Sequence, residues 1–465
     1  MLFHTAGFLF LFLPLFLLVL RVAPAGIWKR VVLFSFSYLF YSGSNPFFVL
    51  LLLFSSTVDY VVGLGLVTNT RNLNRRILLG FSVLVNLGLL GFYKYGGMFL
   101  PSLSSLGSYF GLPTLSDEYF KTIVLPAGIS FYTFQSMSYS FDLYFRKIKV
   151  ERSFLAFLNY VAYLPQLIAG PIERYHNLQP QLENLSRGET KSEWKSGLDR
   201  IALGILQKLF MADSCGFIVD AMLTGPHSLS FAAAWAIAIG FGLQIFYDFS
   251  AYSHMAIGIS QLVGVKLSDN FLAPYQARNV REFWRRWHIT LSTWFRDYLY
   301  IPLGGSHGSF ARVSFNLMIT FLVSGLWHGA HSSFVVWGAL HGAYLIIFLF
   351  FERTFPRLAL PAWISVAWTY VAVSYAWVVF RVTDLSKVAE IWAAMSGMSD
   401  EVLGVLHPAD MSFLTIVLVG TMAFPHARSR PPGKSGYLET FLLWIGALFA
   451  LFNSPELVQF IYFQF

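Results

Sequence analysis

The stretch Phe47–Leu66, FFVLLLLFSSTVDYVVGLGL, decides the fold. A helix needs about 20 predominantly apolar residues to cross the roughly 30 Å of hydrocarbon in a bilayer, and this run supplies them. Similar runs recur from end to end: Phe8–Leu20, Val31–Tyr41, Ile77–Tyr95, Phe231–Ile245, Phe315–Leu326, Phe334–Phe351, Trp363–Phe380, Phe413–Phe424 and Phe441–Phe452. Some are too short, or too broken by Pro and Gly, to stand alone in lipid and need protein neighbours to satisfy their backbone. The chain has 465 residues, 56% hydrophobic and only 12% charged. Soluble chains carry about 25% charged residues, so a soluble globular class is excluded. The sequence reads as an all-α polytopic membrane protein, a single domain over residues 1–465.

The first hundred residues read as lipid-facing helices, aromatic, Leu-rich and nearly free of buried charge. Met1–Gly7 has no basic residue, and Pro24 interrupts the small-residue site Ala23–Ala25, so the first helix is expected to be uncleaved. The net charge of +8 is concentrated at Lys29/Arg30, Arg71/Arg75/Arg76, Arg146–Arg152, Arg174–Lys208, Arg278–Arg296, Arg353/Arg357 and Arg428–Lys434. The positive-inside rule puts these segments in the cytoplasm, with the N-terminus and Pro101–Lys121 outside. The basic excess is thus a topology signal, and no nucleic-acid partner is expected. Asp400–Pro408 reads as a further extramembrane loop. Cys215 is the single cysteine, which forbids an internal disulfide and any Cys-based metal cluster.

Two middle segments differ from plain spans. VLPAGISFYTFQSMSYSFDLY (Val124–Tyr144) and AYLPQLIAGPIERY (Ala162–Tyr175) mix apolar residues with Pro, Gly, Gln and Ser. Pro165 and Pro171 predict a re-entrant or kinked segment in the second, and such backbone is tolerated at membrane depth where it lines a cavity.

Chemistry-bearing residues gather in two places. NVREFWRRWHITLSTWFRDYLY (Asn279–Tyr300), read as a helix, puts Arg281 and Arg285 on one face and Trp284 and His288 on another. An Arg at mid-membrane costs roughly 2.5–3.5 kcal/mol on insertion scales, so Arg278–Arg286 belongs at an interface or a wet cavity. It is either an interfacial helix with snorkelling arginines or a site for a phosphate-bearing anion, which Arg forks suit. SGLWHGAHSSFVVWGALHG (Ser324–Gly342) places His328, His331 and His341 in an apolar hairpin with no acid or base beside them. A buried histidine is most simply a hydrogen-bonded core residue. Three of them beside glycines point to a polar chamber, where a neutral imidazole suits general-base work. His331 and His341 are expected to be structural or supporting.

Other constellations carry less. His328 and His331 lack a nearby carboxylate or thiol to complete a zinc set, so no metal site is expected. Gly304–Gly308 matches G-x-S-x-G, but that pattern is a nucleophile elbow only between a strand and a helix, and it reads here as a loop. Asp248, in FYDFSAYSHMAIG, is either a functional intramembrane carboxylate or a hydrogen-bonded structural one.

EFWRRWHITLSTWFRDYLYIPLGG, GLWHGA, LPAGISFYTFQSMSYSFDLY, LPQLIAGPIERY and the ending FIYFQF together resemble the membrane-bound O-acyltransferase family. The likeness is greatest to its bacterial branch of alginate O-acetyltransferases and their cellulose- and peptidoglycan-acetylating relatives, and covers nearly the whole chain. Teichoic acid D-alanyl transferases look more distant, given Arg285. The chain departs from the pattern at His254, where an acidic residue is expected, and at Ala251, where glycine is.

The resemblance implies a ring of about 9–12 transmembrane helices, with re-entrant or interfacial helices, around a central tunnel. It implies an enzyme of the bacterial inner membrane that moves an acyl group, acetyl in this branch, from a cytoplasmic thioester such as acetyl-CoA. The acceptor is a periplasmic partner protein or a polysaccharide hydroxyl, and no bound cofactor is implied. His328 maps onto the catalytic histidine and His288 onto the second functional one. Trp284, Arg285, Arg286, Trp287, Trp327 and Asp248 are the supporting or donor-binding candidates. A transport or export component using the histidines as a proton relay is the alternative, and a non-catalytic scaffold of a secretion complex a third.

Overall fold

The computed structural model describes residues 2–43, 45–108, 124–224, 229–356, 360–398, 408–423, 436–453 and 460–461. The segments Asp400–Pro408, Arg428–Lys434 and FIYFQF, and the segment Pro101–Lys121 expected on the outer side, fall wholly or partly outside these residues. Every regular element described is helical. Seven helices among the described residues are long and apolar enough to cross a membrane, and three shorter apolar helices accompany them. This is the polytopic all-helical class expected from the apolar runs. The chain groups into two compact units, Met1–Ile201 with Met255–Ser268, and Ala202–His254 with Asp269–Phe465.

In the first unit, a π-helical turn at Phe8–Phe12 leads into α1 (Leu13–Val22), followed by α2 (Ile27–Ser42), α3 (Pro46–Thr68) and α4 (Asn72–Ser108). Asn45 caps α3 by accepting from the amide of Phe47 at 3.0 Å, and Pro46 opens the helix, where its missing N–H is no loss. α4 runs on through Pro101 to Ser108, into the segment expected outside the membrane. α5 (Ile129–Tyr144), α6 (Phe154–Val161), α7 (Tyr175–Arg187) and the start of α8 (Trp194–Leu206) complete the unit with residues 255–268.

Two features correct the lipid-facing reading of the early helices. Asp59 on α3 is fully buried and accepts from Ser82 (2.5 Å) and Asn86 (2.9 Å) of α4 and from Ser136 and Ser140 of α5. Arg75, also buried, donates to the carbonyls of Leu66 and Tyr144, satisfying the open C-terminal ends of α3 and α5. A helix can thus look lipid-facing by composition while one polar residue faces protein.

The Pro-rich segment is broken as its prolines predict. After α6 the chain passes through buried turns from Tyr163 to Gly170 and then extends to Arg174. Side chains replace the missing helical bonds: Gln135 (2.6 Å) and Gln166 (3.1 Å) both donate to the carbonyl of Tyr160, and the amide of Leu164 donates to Ser37. Glu173 closes the segment, accepting from the amide of Ser268 and from Asn177, both at 2.5 Å. Burial pushes the Glu173 carboxyl above the usual range, while those donors pull the other way.

The second unit contains the end of α8, a π-helical turn at Gln207–Ala212, α9 (Asp213–Thr224), and α10 (Phe231–Leu262) as far as His254. Then come α11 (Val280–Arg286), α12 (Ile289–Phe295), α13 (Phe310–His328), α14 (Ser332–Thr354), α15 (Ala362–Arg381), α16 (Leu385–Met395), α17 (Pro408–Ala423) and α18 (Tyr437–Asn453). Its core is aromatic, with Phe241, Phe246, Trp287, Trp337, Trp377 and Phe380 all buried.

Candidate active site

The site is built by α11, α12 and the α13–α14 hairpin. The hairpin is close because its glycines admit it. A Cβ on Gly325 would lie 2.2 Å from the carbonyl oxygen of Phe334, and one on Gly338 would lie 2.3 Å from that of Phe321. Gly338 and Gly342 form a small-x-x-x-small face, the usual device for bringing membrane helices into backbone contact. The glycines beside the histidines therefore serve helix packing, a reason the sequence analysis did not give them. Gly329, directly after His328, is required because the ring of Phe334 stands 2.2 Å from where its Cβ would be.

His328 is the last residue of α13 and is buried. Three aromatic rings stand edge-on to it, Trp327 at 4.9 Å, Trp337 at 5.0 Å and Phe380 at 5.1 Å between centroids. The Trp327 ring also meets His288, at 6.4 Å, so one indole lies against both histidines expected to be functional.

His288 reaches this position through a break that the sequence reading missed. The helix expected across Asn279–Tyr300 stops at Arg286 and resumes at Ile289, with His288 in the left-handed region (φ 41°, ψ 54°). Trp284 and His288 therefore do not share a helix face. Asn270 holds the break open: its carbonyl accepts from the amide of Ile289 at 2.9 Å, and its side-chain oxygen accepts from the Thr290 hydroxyl at 2.7 Å. Its amide in turn donates to Ser253. A non-glycine residue in this conformation costs on the order of 1–3 kcal/mol and persists only where its surroundings over-determine it. The imidazole is buried against Phe249, 4.5 Å between centroids, and burial pushes its pKa down to about 3.

The break sends Trp284 elsewhere. Its indole donates to Nδ1 of His341 at 3.3 Å, and His341 is fully buried among Phe283, Phe321, Trp337, Tyr344 and Trp377. His331, in contrast, is exposed at the start of α14. Trp287 is a core residue, stacked on Phe283 and 4.9 Å from Trp377.

The arginines divide by partner. Arg281 makes a forked pair with Glu352 (2.9 and 2.6 Å), and Arg286 pairs with Glu282 at 2.5 Å. Arg285 is exposed. Asp248 accepts from Lys208 at 2.7 Å and from the backbone amide of Ile461 at 2.6 Å, and Lys208 also pairs with Asp213 at 2.7 Å. The Asp248 carboxylate therefore ties α10 to the π-turn and to the C-terminal segment. Phe460 from that segment packs on Phe249, the residue that faces His288.

Among the described residues no three His, Cys, Asp or Glu side chains cluster for a metal. Gly304–Gly308 is a turn ahead of α13, with Gly304 and Gly308 at positive φ and no flanking strand described, so it is no nucleophile elbow.

Buried histidines on a broken helix and a glycine-tight hairpin, within a polytopic helical membrane protein, define the class: the chain belongs to the membrane-bound O-acyltransferase family, whose model matches residues 114–383. It is an O-acyltransferase. Among individual relatives, it is 38% identical to a "Probable alginate O-acetylase AlgI" of Azotobacter vinelandii, over 90% of this chain and 82% of that one. It is 31% identical to the peptidoglycan O-acetyltransferase of Helicobacter pylori, over 99% and 91%. The teichoic acid D-alanyltransferase of Bacillus subtilis is 25% identical over 49% of this chain and 59% of its own. That order agrees with the more distant likeness expected for the D-alanyl transferases.

Proposed function

We propose that this protein takes an acetyl group from a cytoplasmic thioester, acetyl-CoA or an acetylated carrier protein, and delivers it across a bacterial inner membrane. The recipient is a hydroxyl of a polysaccharide or of a periplasmic partner protein. The observation that carries the reading is the pair of buried histidines on one Trp327 ring, at the end of an apolar helix. Relatives at 31–38% identity named for acetyl transfer to alginate and peptidoglycan support the acetyl group and the polymer acceptor.

In this reading, His328 accepts the proton of the acceptor hydroxyl as its oxygen attacks the thioester carbonyl carbon. The C–S bond then breaks, and the imidazolium returns the proton to the departing thiolate. His288, neutral by burial, orients the thioester or donates to the developing oxyanion. The aromatic walls keep water from hydrolysing the thioester. Arg285, exposed as Arg278 is, is the candidate for the donor's phosphates, because Arg281 and Arg286 already hold carboxylates.

The test is transfer of labelled acetyl by protein in nanodiscs, supplied with acceptor saccharide or a serine-bearing acceptor and with either donor. Loss of transfer in His328→Ala, at an unchanged melting temperature, supports the reading. Equal transfer by variant and wild type removes His328 from the chemistry. Function that needs a proton gradient and no thioester favours the transport alternative.

A further inference from the structure

The α13–α14 hairpin has a second end, opposite His328, that the mechanism above does not use. α13 has 19 residues, a length of about 28 Å at 1.5 Å per residue, which matches the hydrocarbon of a bilayer. The first turn of α13 and the last turn of α14 therefore stand at headgroup depth. Each carries an exposed arginine, Arg312 on α13 and Arg353 on α14. Neither forms an ion pair among the described residues; Glu352, beside Arg353 in the chain, is held in the fork of Arg281.

Arg312 donates to the carbonyl of Leu303 at 3.0 Å, which uses one of the five N–H groups of its guanidinium. The Arg353 guanidinium lies over the ring of Phe310, the first residue of α13, 5.4 Å from its centroid. Both cations thus gather at the N-terminal end of α13, where the helix dipole is itself positive and the first turn holds no acidic residue. The carbonyl end of α14 favours Arg353, but Arg312 stands at the wrong end of its own helix. An anion lodged between the two relieves that repulsion.

What lies beneath the arginines says which anion. Three residues deeper on the same helix face, Phe315 follows Arg312 and Phe350 precedes Arg353, and both rings are exposed. Arg312 lies over the Phe315 ring at 5.9 Å, and the Phe350 ring meets that of Phe310 at 6.3 Å. Each leg of the hairpin so presents a cation at headgroup depth and an apolar ring below it. A free phosphate would use the cations alone, whereas a phospholipid meets the cations with its phosphodiester and the rings with its acyl chains.

We propose that Arg312 and Arg353 hold the headgroup of an anionic phospholipid across the base of the α13–α14 hairpin, with its chains against Phe315 and Phe350. The bound lipid ties together the two legs whose other end carries His328. This site is independent of which thioester the protein uses.

The experiment follows lipid retained by delipidated protein in detergent, by native mass spectrometry, on titration with phosphatidylglycerol or with phosphatidylcholine of the same chains. For the first lipid bound, wild type is expected to prefer phosphatidylglycerol by roughly 30-fold, from about 1 kcal/mol per arginine at 1.4 kcal/mol per decade. Arg312→Gln or Arg353→Gln should lower the preference to about fivefold, and the two together toward onefold. Arg312→Lys with Arg353→Lys keeps both charges and should keep most of it. Lys149→Gln with Lys191→Gln removes two exposed charges of the other unit and should leave it unchanged. Melting temperatures report folding separately, and the single variants carry the test if the double one unfolds. Folded Gln variants with wild-type preference would overturn the proposal. So would an equal loss in the Lys149 and Lys191 variant, the mark of net charge alone. Displacement of phosphatidylglycerol by millimolar inorganic phosphate would assign the arginines to a soluble anion and overturn the lipid.

Discussion

Gly338→Ala tests whether the hairpin glycines set the position of His328. In an isolated helix the change would favour folding by about 1 kcal/mol, because alanine is the better helix former. In this protein the new Cβ would lie 2.3 Å from the carbonyl oxygen of Phe321, 3.0 Å from its carbon and 3.3 Å from Leu322 Cα. All three are backbone atoms and cannot rotate away. Ordinary contact begins at 3.4 Å, so α13 and α14 must part by about 1.1 Å at this point. Overpacking of this kind costs roughly 1–3 kcal/mol, which outweighs the helix gain. His328 ends α13, and its Trp337 wall precedes Gly338 on α14, so the parting moves one against the other. A misplacement of about 1 Å in a site can cost on the order of 100-fold in rate. The assay is initial acyl-transfer rate together with the melting temperature, with Gly80→Ala as control because nothing lies within 4 Å of its Cβ. Gly80→Ala should keep the rate and hold or raise the melting temperature. Gly338→Ala keeping both rate and melting temperature would refute the argument that backbone proximity in the hairpin positions the histidine.

Other perturbations follow from single contacts. Lys208→Met leaves Asp213 and Asp248 buried without their shared cation, a loss of about 3–5 kcal/mol; a denaturation midpoint unchanged from wild type would show the triad to be dispensable. Glu352→Gln breaks a half-exposed forked pair and should cost under about 1 kcal/mol, with a larger fall in melting temperature counting against it. His288 has a folded pKa near 3 against an ordinary value near 6.5, so the unfolded chain binds its proton more readily. Its stabilising contribution is complete above about pH 6.5 and is lost as pH falls toward 3, by up to about 1.4 kcal/mol per pH unit. Melts from pH 7 to 5 should therefore fall less steeply in His288→Gln than in wild type, and parallel curves would contradict the buried neutral imidazole.

The sequence by itself determined the class and the cast. Apolar runs matched to bilayer thickness settle a polytopic helical protein, and Pro165 and Pro171 foretell broken backbone, because both follow from local geometry and solvation. The Trp-His blocks named His288 and His328, and the structure brings both onto Trp327. Tertiary structure decided who touches whom. Helical periodicity joined Trp284 to His288, but Asn270, which lies outside the run and is silent as a motif, breaks the helix and separates them. Asp59 sat in an apolar run that gave no sign of the serines from two other helices converging on it. The glycines of the hairpin read as room for a polar chamber and proved to be room for a neighbouring backbone. In each case the deciding partner lies beyond the helical turn that the pattern describes, and a pattern that repeats every few residues cannot carry contacts made outside its own helix.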